Sequence, residues 1–328
     1  MIGLDFQVLL YLFGGVAAVA TLAVVGLIIV RLSSSPPDLS RHETEKFFCD
    51  PSKPGSKLPF PSIHDKPTLD LSVIVPSYNE EERLPGMLKE TTEFLEDRQK
   101  KQPNFTYEVI VVDDGSKDKT TQAGLEYSKK LGVEKVRVLT FHHNRGKGGA
   151  IRLGLFSARG KQLLFADADA ATKFADLEKL EKIFKEINKE SHGMAIVCGS
   201  RAHLQEEAVA NRSLFRTFLM HGFHFLVWFL CVRGIRDTQC GFKLLSREAA
   251  IRVFSNLHVE RWAFDVEMLY IAQCLRVPIG EVAVNWTEID GSKMVPVFSW
   301  LQMGRDILLI RLRYMLGGWR INYKSKAQ

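Results

Sequence analysis

No charged residue lies between Val8 and Val30, and this stretch limits the structures that the chain can adopt more than any other feature. About twenty such residues in a helix suffice to cross a hydrocarbon core roughly 30 Å thick. A cleaved signal peptide is the alternative, but no positively charged region precedes the stretch, and its apolar part is longer than the roughly 7–15 residues of such peptides. The sequence therefore predicts one transmembrane helix over residues 8–30.

The charges around this helix predict its orientation. Asp5 is the only charge before it, whereas Arg31, Arg41 and Lys46 follow it, with further lysines beyond. The positive-inside rule then predicts a short lumenal N-terminus, residues 1–7, and a cytoplasmic location for everything after the helix. Residues 31–68 are rich in Ser, Pro and charge, which is typical of a linker.

The composition is that of a folded protein, with 46% hydrophobic and 25% charged residues among 328. It indicates one large α/β domain with appendages, and neither a disordered nor a wholly membrane-embedded chain. The net charge of +6 suits a phosphate-rich partner or an anionic membrane surface and does not distinguish them, and we predict no nucleic-acid partner. The five cysteines contain no CxxC pair, which argues against a disulfide framework and a zinc site.

Short apolar runs alternate with helical spacing in residues 69–293. The first run, at 71–76, precedes a polar turn and then leucines at helical spacing. Similar runs follow at 108–112, 136–141, 162–166 and 194–198, with room for crossover helices between them. The pattern predicts a mostly parallel, doubly wound α/β sheet, and ligands of such sheets bind beyond the carboxyl ends of the strands.

Four polar clusters follow these strand ends: 76–81 (PSYNEE), 113–118 (DDGSKD), 143–149 (HNRGKGG) and 167–169 (DAD). Vicinal carboxylates such as Asp113 and Asp114 can accept hydrogen bonds from a ribose or a base, although a turn or helix cap explains them equally well when they are taken alone. A Gly-rich turn that carries Arg145 and Lys147 can approach phosphates closely. Its spacing is not that of a P-loop, which makes a kinase or ATPase a weak interpretation.

The two carboxylates of the last cluster stand two positions apart. In an extended segment such residues project to the same side, so Asp167 and Asp169 can hold one hard cation, which can in turn bind a diphosphate. The triplet alone is common in surface loops. Four such clusters in this order favour a functional site.

These clusters resemble those of the nucleotide-sugar-dependent inverting glycosyltransferases of family 2, which have the GT-A fold, over residues 71–293. The stretches 197–201 (VCGSR), 237–243 (DTQCGFK), 261–267 (RWAFDVE) and 289–293 (IDGSK) are similar to the members that transfer glucose from UDP-glucose to dolichyl phosphate. The resemblance implies this activity at the endoplasmic reticulum membrane, as a step towards N-linked glycosylation.

The resemblance also implies the roles of individual residues. The nucleotide sugar would be bound by Pro76, Tyr78, Glu80, Asp113, Asp114, Lys147, Asp167, Asp265 and Lys293. Asp167 and Asp169 would bind Mg²⁺ or Mn²⁺, and the catalytic residues would be Asp169, Arg201 and Asp237. The acceptor phosphate would be bound by Arg201, Arg212 and Arg216. Related mannosyl-transferring enzymes carry a third polar ligand two residues beyond the second aspartate, where this chain has Ala171.

A phosphate acceptor simplifies the chemistry. A phosphate monoester has a second pKa near 6 and is largely dianionic at pH 7, so no general base is required to form the nucleophile. Cationic donors are required instead, because two anions must approach each other. The aromatic stretch 218–230 and the amphipathic C-terminal segment 294–328 suit a lipid acceptor as interfacial segments, with burial as ordinary core helices as the alternative.

Three other functions are compatible with parts of the sequence. A mannosyltransferase that uses GDP-mannose shares the architecture. A processive polysaccharide synthase generally carries a Gln-x-x-Arg-Trp motif and several spans, whereas this chain has His258 in place of the glutamine and one predicted span. A silent nucleotide-sugar-binding protein would lack the metal carboxylates, and Asp167 and Asp169 are both present.

Overall fold

The computed structural model describes residues 6–191, 193–204, 214–289 and 296–323. The side chains of the first helix, α1 (Phe6–Leu32), are exposed from Tyr11 to Ile29. Within the described part of the chain, its residues 11–32 form the one helix that is long and apolar enough to cross a membrane, with a mean hydropathy of 2.5.

The strands form one small and one large sheet. Strands β1 (Phe47–Phe48) and β2 (Leu58–Pro59) make an antiparallel pair. The large sheet contains β3 (Leu69–Ser77), β4 (Tyr107–Asp113), β5 (Val136–Thr140), β6 (Gly160–Ala166), β7 (Ile196–Ser200), β8 (Phe242–Ser246) and β9 (Ile279–Ala283). Its strand order is β5-β4-β3-β6-β8-β7-β9.

Strands β5, β4, β3 and β6 are parallel neighbours, β8 is antiparallel to β6 and β7, and β7 pairs with β9 in parallel. The predicted mostly parallel α/β sheet is therefore confirmed. The sequence did not predict β8 and β9. Lys243 interrupts the apolar run of β8, and β9 is a half-buried edge strand without a continuous apolar run.

Helices cover both faces of the large sheet. They are α2 (Leu84–Lys101), α3 (Thr120–Leu131), α4 (Lys147–Leu155), α5 (Leu177–Glu190), α6 (Leu214–Leu230), α7 (Arg247–Phe254), α8 (Phe264–Cys274) and α9 (Pro296–Met315). One hydrophobic core contains residues of α4, α6, α7, α8 and α9, and the other contains residues of α2 and α5 with partly buried α3 side chains. The sheet is thus the middle of three layers.

Helix α4 packs unusually close to the sheet because Gly154 has no side chain. A Cβ atom at this position would lie 2.6 Å from Cγ2 of Ile74 and 2.8 Å from Cγ2 of Val112, well inside van der Waals contact. Since α4 begins at Lys147, this packing brings the helix N-terminus and its lysine to the carboxyl edge of β3 and β4.

The segment that its composition predicts to be a linker, residues 31–68, folds against the domain. Besides β1 and β2 it contains a 3₁₀ helix, Glu43–Lys46. Glu45 and Ile63 are both buried, and Ile63 belongs to a core of the large domain. A few specific contacts order this segment, and such contacts leave no hydrophobic periodicity in the sequence.

The first three strands of the sheet are joined by a buried charge cluster around Glu108 of β4. Its carboxylate accepts a hydrogen bond from the Ser72 hydroxyl of β3 at 2.6 Å and pairs with Arg137 of β5. Arg159, which precedes β6, donates from its backbone N–H at 2.6 Å and from Nε at 2.8 Å. The cluster thus joins the strands whose ends carry the polar clusters.

Replacing Glu108 by Ala should destabilise the fold strongly, because Arg137 would remain buried without its partner. Loss of one member of a buried ion pair typically costs about 3–5 kcal/mol of unfolding free energy. The matched control is Glu134→Ala, whose side chain is 83% exposed and which pairs with the same Arg159. We expect the control to change stability by less than about 1 kcal/mol, and thermal unfolding of the detergent-solubilised proteins will measure the difference. Equal midpoints would contradict the structural role of Glu108.

Candidate active site

Parallel pairing brings three of the four polar clusters to one edge of the sheet. Ser77 at the end of β3 lies opposite Asp113 at the end of β4, and the Asp114 N–H donates to the Ser77 carbonyl at 2.8 Å. Asp167 directly follows β6, the other neighbour of β3. The fourth cluster joins them through α4, which begins at Lys147.

The cluster after β3 is held by contacts with the start of α3. Pro76 and Tyr78 are half-buried, and the backbone N–H of the buried Glu80 donates to the Thr120 hydroxyl at 2.7 Å. Both carboxylate oxygens of Glu80 accept from the Arg83 guanidinium, each at 2.7 Å. The backbone and the carboxylate of Glu80 are thus both held by hydrogen bonds.

Asp113 and Asp114 are both buried and accept hydrogen bonds within the protein. Asp113 accepts from the Ser116 N–H at 2.9 Å and from the Thr121 hydroxyl. Asp114 accepts from the N–H groups of Arg145 and Gly146 at 2.7 and 2.8 Å. Burial raises the pKa of Asp114 to about 6 despite these donors. Both aspartates therefore shape the loops around the site.

Lys147 and Asp167 form an ion pair, with 2.6 Å between Nζ and Oδ1. Burial disfavours the charge of Lys147, but the carboxylates of Asp167 and Asp265 outweigh burial and raise its pKa. The backbone N–H of Asp167 donates to the Gly241 carbonyl at 3.1 Å, and a Cβ atom at position 241 would overlap the Asp167 carboxylate. The absence of a side chain at Gly241 therefore permits the position of Asp167.

Asp169 lies in a turn after β6, so the extended geometry expected for the two carboxylates is wrong. Ala170 adopts a left-handed backbone conformation with φ of 58°, and the Ala171 N–H donates to Oδ1 of Asp169 at 3.0 Å. Such a conformation is rare for a residue with a side chain and is concentrated at functional sites. Burial, and then the charge of Asp167, raises the pKa of Asp169.

The chemistry of these two carboxylates fits a hard divalent cation. Mg²⁺ commonly takes one or two protein carboxylates and completes its shell with water and substrate phosphates. In the described part of the chain, no group of three or more His, Cys, Asp or Glu side chains could hold a metal ion. Asp167 and Asp169 would therefore supply two ligands, and Ala171 offers only a backbone bond to Asp169.

Arg201 and Asp237 form a fork of hydrogen bonds. The Nε and Nη2 atoms of Arg201 donate to the two carboxylate oxygens at 2.8 and 3.0 Å, and the Arg201 N–H donates at 2.8 Å. The guanidinium also lies over the Trp286 ring, 5.4 Å from its centroid. Burial disfavours the charge of Asp237, but the bonds from Arg201 outweigh it and hold the pKa of Asp237 below its usual range. Asp237 is thus a weak base.

Asp265 pairs with a lysine that the sequence did not single out. Lys243 of β8 is buried, and its Nζ lies 2.6 Å from Oδ1 of Asp265 and from the Cys240 carbonyl. A charged residue within an apolar strand was the available signal. Arg83 was also missed: burial opposes its charge, but the carboxylates of Glu80, Asp169 and Asp167 outweigh burial and raise its pKa.

Three predicted site residues cannot be placed. Arg212 and Lys293 lie outside the described residues, and Arg216 lies in α6 at a position whose side chain is not described. Arg201 is therefore the acceptor-phosphate candidate whose contacts are known. The other predicted residues fall at or near the carboxyl edge of the sheet.

Comparisons with known proteins identify the family of the chain. Residues 72–254 match the sequence profile described as glycosyl transferase family 2. The chain is 62% identical over 321 residues to "Dolichyl-phosphate beta-glucosyltransferase" of Mus musculus, covering 97% of this chain and 98% of the relative. It is 45% identical over 269 residues to the protein of that name from Saccharomyces cerevisiae, covering 79% of each chain.

Solved structures agree at the level of the fold. Glucosyl-3-phosphoglycerate synthase from Mycobacterium tuberculosis in complex with Mn²⁺, UDP-glucose and phosphoglyceric acid is 18% identical, with a TM-score of 0.53, over 76% of this chain and 80% of that chain. The complex of that enzyme with UDP gives a TM-score of 0.52, over 76% of this chain and 81% of that chain.

The fold and the carboxylate-bearing strand ends define a glycosyltransferase of the GT-A class. Within that class, the chain belongs to glycosyl transferase family 2 and to its dolichyl-phosphate beta-glucosyltransferases.

Replacing Gly241 by Ala should lower activity by about 10²-fold, since displacement of a positioning group by about 1 Å can have an effect of that size. The added methyl group would overlap the Asp167 carboxylate. The matched control is Gly86→Ala in α2, where a Cβ atom meets no other atom within 4 Å. Transfer rates of the purified variants test this expectation, and equal rates would show that Asp167 can move without consequence.

Proposed function

We propose that the protein transfers glucose from UDP-glucose to dolichyl phosphate with inversion, and so forms dolichyl β-D-glucosyl phosphate and UDP. The observation that carries this proposal is the 62% identity to the mouse relative, which extends over 97% of the chain. The product would serve as a glucose donor for the lipid-linked oligosaccharide of N-linked glycosylation.

The polar strand ends would bind the donor. Pro76, Tyr78 and Glu80 would contact the uridine, together with the loops that Asp113 and Asp114 order. The ammonium group of Lys147 lies at the N-terminus of α4 and is directed at Asp167, where it can also attract a diphosphate. Asp265 and its partner Lys243 would line the sugar side of the site, and Lys293 is proposed to close over the donor.

The reaction requires one bond to form and one to break. An oxygen of the dianionic acceptor phosphate attacks C1 of glucose, and the bond between C1 and the diphosphate oxygen breaks, so that its electron pair leaves with UDP. Because the acceptor is already ionised near pH 7, no proton must be removed. The lowered pKa of Asp237 agrees with this chemistry, since Asp237 would orient Arg201 without acting as a base.

Asp167 and Asp169 would hold Mg²⁺ or Mn²⁺ against the diphosphate. A bound divalent cation neutralises the charge that builds on the leaving diphosphate, an effect typically of several kcal/mol. Arg201 would bring the acceptor phosphate towards C1, since a guanidinium is always charged and suits phosphate geometry. Arg212 and Arg216 are proposed to extend this cationic surface.

The arrangement of three helices supports a membrane-bound acceptor. Helix α9 packs against both α6 and the anchor α1. Helix α6 exposes Phe225, Trp228 and Phe229, and α9 exposes Leu301 and Leu308. Exposed apolar side chains beside an anchor are typical of a membrane-contacting surface. We propose that this surface rests on the membrane.

We further propose that the protein is a single-pass protein of the endoplasmic reticulum membrane. The positive residues after α1 support a cytoplasmic catalytic domain, where nucleotide sugars are available. A mannosyltransferase that uses GDP-mannose is the alternative with the same architecture, and the names of the high-identity relatives favour glucose.

The substrate assignment predicts selective labelling of lipid. Membranes that contain the protein are incubated with dolichyl phosphate and with labelled UDP-glucose, UDP-galactose or GDP-mannose. We expect label in the lipid fraction from UDP-glucose alone, because hydrogen-bonding sites reject sugars whose hydroxyls leave their polar groups unpaired. Membranes without the protein are the control. Labelling from GDP-mannose alone would overturn the substrate assignment.

The metal assignment predicts loss of transfer by Asp169→Asn of about 10²–10³-fold, similar to the loss of one electrostatic stabilising group in other enzymes. EDTA should abolish transfer by the wild type, and added Mg²⁺ or Mn²⁺ should restore it. Asp97→Asn on α2, whose side chain is 64% exposed, is the matched control and should retain full activity. Full activity of Asp169→Asn, or of the wild type in EDTA, would contradict the assignment.

A further inference from the structure

Residues 38–46, which we call the juxtamembrane strap, contact the Gly-rich loop of the site. The central residue is Glu45, which is 1% exposed. One of its carboxylate oxygens accepts from the His42 N–H within the strap at 3.0 Å, and the other accepts from the His142 N–H at 3.1 Å. His142 lies two residues beyond the end of β5 and begins residues 142–147, which we call the donor loop.

Two further contacts join the same elements. The imidazole rings of His42 and His142 are stacked, with 4.5 Å between their centroids and an angle of 11° between their planes. Arg41 of the strap donates from Nη2 to the Leu153 carbonyl of α4 at 3.2 Å. The strap therefore contacts both the start of the donor loop and the helix that follows it.

Arg145 binds the strap as well, whereas its sequence context predicted an approach to phosphate. Its guanidinium is buried and donates from Nη1 to the Ser40 carbonyl at 2.7 Å and from Nη2 to the Asp38 carbonyl at 3.0 Å. It also pairs with Glu260 at 2.8 Å. The Arg145 guanidinium is thus bound by two carbonyls of the strap and by Glu260.

Other groups of the donor loop bind carboxylates of the candidate site. The backbone N–H groups of Arg145 and Gly146 donate to Asp114, and Lys147 pairs with Asp167. Gly146 has a φ of 98°, a conformation that glycine adopts readily and that turns the chain into α4. The loop is thus held between the strap on one side and the site on the other.

The strap also lies a short distance from the membrane anchor. Helix α1 ends at Leu32, and six residues, which span at most about 20 Å, lead from there to Asp38. Ser34 in this connection lies against Gly318 after α9, where a Cβ atom would be 2.5 Å from the serine hydroxyl oxygen. The contacts that hold the donor loop therefore begin close to the end of the anchor.

We propose that the juxtamembrane strap positions the donor loop for binding of the sugar nucleotide, with Glu45 and Arg145 as positioning residues that act through the loop backbone. This inference rests on the proposed function for the identity of the donor. Among the described contacts, no hydrogen bond or ion pair joins the strap to Arg201 or Asp237 on the acceptor side. We therefore expect the strap to affect binding of the donor and not of the acceptor.

The test is Glu45→Ala in the full-length protein, which removes both acceptors. We expect KM for UDP-glucose to rise at least about ten-fold, because hydrogen bonds to a charged group are lost, with KM for dolichyl phosphate unchanged. Glu45→Gln keeps one acceptor and should show a smaller rise. Glu43→Ala is the matched control from the same 3₁₀ helix, because its side chain is 78% exposed and pairs with Lys46, and it should behave as the wild type.

Hydrogen exchange of the amides at 142–147 provides a readout that does not depend on the sugar. In the absence of nucleotide, we expect these amides to exchange faster in Glu45→Ala than in the wild type. In Glu43→Ala we expect them to exchange at the wild-type rate. A strap that only stabilises the fold would lower the active fraction and leave both KM values unchanged, and that result would overturn the inference. So would equal exchange rates in the three proteins. Failure of the wild type to use UDP-glucose would overturn the proposed function, while the exchange experiment would still decide the role of the strap.

Discussion

The parallel pairing of β3 with β4 and β6 is the constraint on which the site depends. It places Ser77, Asp113 and Asp167 at neighbouring strand ends, and the Glu108 cluster joins the same strands from within the sheet. The close approach at Gly154 then brings α4 and Lys147 to that edge. Backbone pairing therefore determines the geometry of the site, because it places the side chains within contact distance of one another.

The charged groups of the site are arranged as internal pairs. Lys147 binds Asp167, Lys243 binds Asp265, and Arg201 binds Asp237, so each of these six charges has a partner close by. Burial of an unpaired charge would be strongly unfavourable, and pairing removes most of that penalty. The pairs also keep the side chains in defined orientations before any ligand binds, which is the condition for electrostatic preorganisation.

Five strands of the sheet, and the position of most candidate site residues at strand ends, were predictable because they leave periodic or clustered signals. The apolar runs of β3 to β7 predicted buried strands, and the polar clusters followed the strand ends. Lys243 was not predicted, since a lysine inside a strand reads as an interruption until its partner Asp265 is known. The left-handed turn at Ala170 has no signal in residue type, because alanine gives no indication of positive φ.

The strap and the contacts of Arg145 could not be predicted from the sequence for a different reason. Their contacts join residues about a hundred positions apart, such as Glu45 with His142, and involve backbone atoms as partners. A backbone carbonyl looks the same at every position of a sequence. Composition therefore indicated a linker where the fold contains an ordered segment.

Because Lys147 and Asp167 are paired with each other, any charged ligand of one would compete with the other. In the proposed function, a diphosphate would compete with Asp167 for the ammonium group, and a metal ion would compete with the ammonium group for Asp167. Either ligand alone would leave one member of the ion pair without a partner, whereas an anion and a cation that bind together would give a new partner to both Lys147 and Asp167. The ion pair would thus disfavour binding of the diphosphate without the metal ion, or of the metal ion without the diphosphate.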